Sequence, residues 1–188
     1  MVWFVITVFA LAGMIKGTIG LGLPAVSMGL LTMVISPFQA ATLLIIPSMV
    51  TNFWQLFAEG RVLQLIRRFW LLLIGIIVGS IWSVFPTLGH SDFNSEALLG
   101  GMLALYGVYG LFAKSMPNLS KYENWLSPIM GYLGGALTVA TGVVVIPVVP
   151  YLQTLNLQRD DLVQSLGLAF TTSTICLAVF LHQNPVEN

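Results

Sequence analysis

Long apolar runs separated by short polar or glycine-rich interruptions extend along the whole chain, and uncharged stretches cover residues 17–58, 69–89 and 124–158. One membrane crossing takes about 20 apolar residues, so the first and third stretches are each long enough for two. Hydropathy and punctuation predict eight segments, at about 2–18, 22–35, 38–58, 69–88, 95–113, 125–138, 142–156 and 161–182. The second and seventh would reach only about 20 Å at roughly 1.5 Å per residue, which marks them as half-helices, re-entrant or tilted segments. The expected fold class is all-α: a polytopic transmembrane helical bundle with broken or short helices, forming a single transmembrane domain over 1–188.

Composition agrees with that pattern. Of 188 residues 57% are hydrophobic and 7% charged, with a mean hydropathy of +0.92. A chain of this kind has the lipid bilayer as its first partner and no room for a separate soluble catalytic domain. Its formal net charge is zero, with no basic stretch outside one loop, so nothing in it suggests nucleic acid. The start Met-Val-Trp-Phe-Val has neither a basic n-region nor a small-residue cleavage site, so the first segment reads as a retained helix. Cys176 is the single cysteine; it makes an intrachain disulfide impossible, excludes a thiolate metal cluster, and reads as a buried packing residue. Trp3, Trp54, Trp70, Trp82 and Trp125 mostly fall near predicted segment ends, as an interfacial belt requires.

Loop charge gives an orientation. Arg61, Arg67 and Arg68 lie in one predicted loop and Lys114 and Lys121 in another, while the loop between segments four and five, Gly89-His-Ser-Asp-Phe-Asn94, lacks Lys and Arg. Both basic loops are therefore expected in the cytoplasm, with Arg159 on the same side, Lys16 toward it, and both chain termini opposite.

Pairing residues at an offset of 120 aligns Gly22 with Gly142, Thr51 with Thr171, Ala58 with Ala178 and Val26 with Ile146. In both copies a glycine-containing break precedes a segment with proline: Gly20-Leu-Gly-Leu-Pro24 and Ala140-Thr-Gly-Val-Val-Val-Ile-Pro147. Five segments separate the copies, and an odd number inverts the second, the architecture of many secondary transporters. Repeat 1 is expected over about 1–113 and an incomplete repeat 2 over about 125–182.

Lys16 stands out chemically, an ammonium inside the glycine-punctuated passage Gly13–Pro24. A charge at bilayer depth normally faces a cavity or a partner; the alternative is a lysine snorkelling to the cytoplasmic interface. An anion in a membrane needs donors that replace its hydration, and a helix N-terminus supplies unpaired N–H groups with a favourable dipole. The candidate binding residues are Lys16, Gly17, Thr18, Gly20 and Gly22 at the first break, and Thr138, Thr141 and Gly142 at the second. Asn52 with Gln55, and Thr171 with Thr174, lie three apart on their helices; they are expected either to line a pathway from opposite sides or to bond helices together. Asp160 and Asp161 read as a solvated helix start, and His90, Asp92 and Glu96 as a solvated loop and helix start rather than a metal site.

These residues carry a resemblance. Ala12 to Leu30, Ile46-Pro-Ser-Met-Val-Thr-Asn52, Gly131 to Gly142 through Ile146-Pro-Val-Val-Pro-Tyr-Leu152, and Asp160 to Phe170 resemble the TauE/SafE family of sulfite and organosulfonate exporters. The likeness runs over most of the chain. It implies movement, passive or coupled to an ion such as a proton or sodium, of a small and often sulfur-containing anion across the bacterial inner membrane. Family members have two further helices beyond the counterpart of segment eight, so the chain reads as C-terminally short.

The leading function class is accordingly an anion transporter, with no cofactor. A non-transporting membrane subunit, or a short family member that works only with a partner such as a second copy, is the alternative. An intramembrane enzyme has no support, since no Gly-x-Ser-x-Gly elbow, His-Glu-x-x-His pair or buried carboxylate dyad is present.

Overall fold

The computed structural model describes residues 2–58, 60–88, 94–112, 117–144 and 146–184. The loop bearing His90 and Asp92, and Lys114, lie outside the described residues. Among the described residues eight α-helices follow in order: α1 (Val2–Ile19), α2 (Leu23–Leu31), α3 (Pro37–Phe57), α4 (Val62–Ile81), α5 (Ser95–Phe112), α6 (Glu123–Thr141), α7 (Val148–Gln153) and α8 (Arg159–Gln183). No strand occurs among the described residues. The chain is an all-α, multi-pass membrane protein; α3, α4 and α8 are each long and apolar enough to cross a bilayer.

Two predicted segments shift. The fourth begins at Val62 rather than near 69, so Arg67 and Arg68 sit on the helix and not in a loop. The only local breaker is Gly60, at φ 73; beyond it Val-Leu-Gln-Leu-Ile-Arg-Arg contains nothing that opposes helix. The seventh shrinks to six residues because Gly142 takes a left-handed φ of 78 and stops α6, and helix resumes only after Pro147. At about 14 and 9 Å, α2 and α7 are too short to span. Cys176 is half-buried rather than buried.

The first break also holds a left-handed glycine. Gly22, at φ 105, caps α2, and Pro24 lies in its first turn, where a missing N–H costs nothing. The third helix starts on Ser36, whose hydroxyl accepts from the Gln39 N–H at 3.3 Å, followed by Pro37.

Side-chain pairs fix helix directions. Near their starts, Arg68 of α4 and Glu123 of α6 form a two-pronged ion pair at 2.8 Å; near their ends Ser80 Oγ donates to the Gly135 carbonyl at 3.4 Å. The two helices therefore run parallel. A Cβ on Gly79 would overlap the Tyr132 carbonyl, one on Gly135 the Ile76 carbonyl, and one on Gly75 would lie 2.5 Å from the Pro128 oxygen. Hydrogen atoms at these positions let the backbones meet, as small residues do in membrane helix pairs.

By contrast α3 and α8 are antiparallel. Gln55 Nε2 donates to the Val163 carbonyl at 2.9 Å and Gln164 Nε2 to the Leu56 carbonyl at 2.8 Å, whereas Asn52, a turn earlier, reaches Thr174 further along α8. A second ion pair ties the ends together: Arg61 meets Asp161 at 3.0 Å, so α4, α6 and α8 all start at one face. That face gathers Arg61, Arg67, Arg68, Lys121 and Arg159, the residues from whose excess a cytoplasmic side is expected.

Candidate functional site

At the first break the Lys16 side chain reaches from the last turn of α1 to α3. Lys16 is 6% exposed, folded inward rather than reaching an interface. Its Nζ donates to Thr51 Oγ1 at 3.0 Å and, closely, to Asn52 Oδ1. An ammonium has only donors, so the amide must present its oxygen to it. The Asn52 Nδ2 is thereby free to donate to Thr174 Oγ1, 3.3 Å away on α8. Phe170 supplies an aromatic face 5.8 Å from Nζ.

No carboxylate joins this cluster: among the described residues the ion pairs are Arg61 with Asp161 and Arg68 with Glu123. Placing a lysine at membrane depth costs about 2.5–3.5 kcal/mol on insertion scales, and a hydrogen bond to a charged group returns about 1.5–3 kcal/mol. Two such bonds hold the ammonium without neutralising it.

Other predicted residues divide. Gln55 is buried beside the first break, with Nε2 bonded to the Gly20 carbonyl at 3.0 Å as well as to Val163, so it ties helices together instead of facing Thr171. Gly20 and Gly22 form the break itself. Gly17 and Thr18 are exposed, and the Thr18 hydroxyl returns to its own helix at Ile15, 2.9 Å away; neither joins Lys16. Thr171 is buried but bonded to the Gly167 carbonyl at 2.7 Å. At the second break Thr138 and Gly142 line a small cavity with Pro24 of the first, so the two breaks converge. Thr141 faces another hollow, beside Leu99 of α5 and Val143 just after α6.

Thr51, Ser48 and Gln164 escaped the sequence reading. Ser48, Thr51, Asn52 and Gln55 recur at helical spacing along α3, a polar stripe on a helix face that should otherwise be apolar. That stripe was the available signal.

The match to a family model decides the relationship: the model described as sulfite exporter TauE/SafE covers residues 5–187. The chain belongs to the TauE/SafE family. No curated protein and no solved structure matches it. As a TauE/SafE member it is a membrane transporter of the permease type, and its matched region includes both breaks, Lys16 and the α3–α8 contact. The TauE/SafE match also spans the paired stretches, with their left-handed Gly22 and Gly142.

Proposed function

We propose that this chain moves a small anion, sulfite, a sulfonate or a related sulfur-containing organic anion, across the bacterial inner membrane. One observation carries the reading: Lys16 is buried, bonded only to the neutral Thr51 and Asn52, and placed where α1 breaks. A buried lysine whose side-chain partners are neutral can bind an anion. The family's sulfite exporters supply the substrate class.

In this reading α1–α3 and α6–α8 are inverted copies, a first repeat over about 1–113 and a shorter second over about 125–182. The antiparallel course of α3 and α8, counterparts at the 120-residue offset, supports it, as do the matching left-handed glycines. Rocking of one copy against the other would open the Lys16 cluster to each side in turn.

The test is flux of labelled sulfite and of a short sulfonate in proteoliposomes, comparing the chain with Lys16→Gln and with empty vesicles. Saturable flux lost in the variant is expected; flux unchanged in affinity and rate removes Lys16 from the pathway.

A second reading, a subunit that works with a further copy, draws on α5. This helix touches the bundle chiefly through α2 and α6, and a Cβ at Gly100, Gly101, Gly107 or Gly110 would meet nothing within 4 Å. Cross-linking in membranes that traps a dimer through α5 is the result expected of it.

A further inference from the structure

The charges and hydrogen-bond donors around Lys16 can be counted. Lys16 is the only ionisable side chain on α1, α2 and α3, so the cluster offers an anion at most one positive charge. On α8, Arg159, Asp160, Asp161, Cys176 and His182 neither bond to Lys16 nor line the adjoining hollow, and the same holds for Glu123 and Tyr132 of α6. An ammonium has three N–H donors, of which Thr51 and Asn52 take two. One remains. The partners have spent their own protons: Thr51 Oγ1 donates to the Pro47 carbonyl at 2.9 Å, Asn52 Nδ2 to Thr174, and Gln55 Nε2 to the Gly20 and Val163 carbonyls.

The hollow between the two breaks adds little to that count. It shares the Phe170 ring with the Lys16 cluster, and Leu44, Ile45 and Val144 keep its wall largely apolar. Of its four hydroxyls, Thr138 donates to the Gly134 carbonyl at 2.7 Å, and Ser173 and Thr174 to the Phe170 carbonyl at 3.1 and 2.7 Å. Only Ser48, 1% exposed and with an unpaired Oγ, has a proton left to give. The N-terminal turn of α2 borders the hollow through Pro24 and the C-terminal end of α6 through Gly142. Their dipole ends are of opposite sign, each about half an elementary charge, and offset one another. The Gly142 N–H is taken by the Thr138 carbonyl at 2.7 Å, and Pro24 has none. Along α3 in the other direction, Gln55 Oε1 is buried without a donor, an acceptor that repels added negative charge.

We propose that the site selects its substrate by charge: it accepts singly charged anions, a monosulfonate or a sulfite that has kept one proton, and rejects doubly charged ones such as sulfate or fully deprotonated sulfite. This rests on the anion-transport reading and narrows it, since that reading alone admits anions of either charge. A monoanion beside Lys16 makes a neutral pair and draws on the remaining ammonium N–H and, a turn away on α3, the Ser48 hydroxyl. A dianion leaves one negative charge uncompensated at bilayer depth, where an unpaired charge is costly. Neither a second cation nor a further unspent donor is found in the cluster or the lining. An O–H retained on the anion also has an acceptor in Gln55 Oε1.

Flux of labelled methanesulfonate, sulfate and sulfite into proteoliposomes of the full chain tests this, with the membrane potential clamped so that substrate charge does not itself drive movement. Methanesulfonate and sulfate are close in size and differ in charge. Saturable methanesulfonate flux is expected, with kcat/KM for sulfate lower by at least about tenfold, the equivalent of about 1.4 kcal/mol. Sulfite sheds its second proton near neutral pH, so its flux at fixed total concentration is expected to fall relative to methanesulfonate as the medium goes from slightly acid to slightly alkaline. Taking the ratio removes any titration of Lys16, which both substrates share. Sulfate flux equal to or above that of methanesulfonate, or a sulfite ratio that is flat or rises with pH, overturns charge selection and leaves anion transport standing. Absence of saturable flux for all three overturns both readings.

Discussion

Asn52 donates from Nδ2 to the Thr174 hydroxyl at 3.3 Å, joining α3 to α8 at the level where its Oδ1 holds the Lys16 ammonium. One amide thus serves two helices and one charge. Asn52→Asp replaces a neutral acceptor with a carboxylate that neutralises Lys16 in place. The expected outcome is a protein that inserts and elutes normally but loses anion flux, measured in proteoliposomes. Asn52→Leu, which strands both Lys16 and Thr174, is expected to lower stability in detergent by about 1–3 kcal/mol as well.

The α4–α6 contact gives a stability test that is independent of transport. Gly135 has no space for a Cβ, which would overlap the Ile76 carbonyl. Gly135→Ala forces the helices apart, with an expected loss of about 1–3 kcal/mol. Gly100→Ala on α5 meets nothing within 4 Å, and is expected to be neutral or to gain up to about 1 kcal/mol from helix propensity. Thermal unfolding of the two variants side by side measures the contrast.

Gly142 combines a backbone and a packing requirement. Its φ of 78 disfavours any Cβ, and that atom would lie 2.7 Å from Met28 Cε of α2. Gly142→Ala is expected to cost about 1–2 kcal/mol through the left-handed conformation alone. Gly60 has a similar φ of 73 but open space around it, so Gly60→Ala carries the backbone cost without the clash. A larger drop in melting temperature for Gly142→Ala than for Gly60→Ala is the expected reading.

Orientation is open to direct labelling. In a Cys176→Ser background, cysteines placed at Lys121 and Arg159 are expected to react with an impermeant maleimide only from the cytoplasmic face. Labelling of either from outside would reverse the topology. The ion pairs at this face are solvated, with Arg68 at 42% and Arg61 at 51% side-chain exposure, so Arg68→Ala is expected to cost no more than about 1 kcal/mol.

Much of the fold was legible because it depends on local properties. Apolar length located the helices, and Gly22 with Pro24, and Gly142 with Pro147, placed the breaks. The start of α4 was misplaced because Arg67 and Arg68 suggested a loop, yet arginine is a good helix former and can lie on a helix at the membrane surface. Of the site, Lys16 and Asn52 stood out as polar residues in apolar surroundings. Gly17 and Thr18 came with them by adjacency in sequence, and the turn of α1 carries both to its exposed side.

The sequence by itself determined a multi-pass helical membrane protein, two glycine-marked breaks and a lysine at one of them. These follow from side-chain polarity and backbone freedom, which each residue carries wherever it is. Only the tertiary structure decided that Thr51 and Asn52 hold Lys16, that Gln55 meets Val163 rather than Thr171, and that α4 and α6 touch through Gly75, Gly79, Gly131 and Gly135. Between helices in lipid there is no water to exclude, so apolar pattern does not select the facing sides; close packing and interhelical hydrogen bonds do, and they depend on the rotation and register of both partners at once.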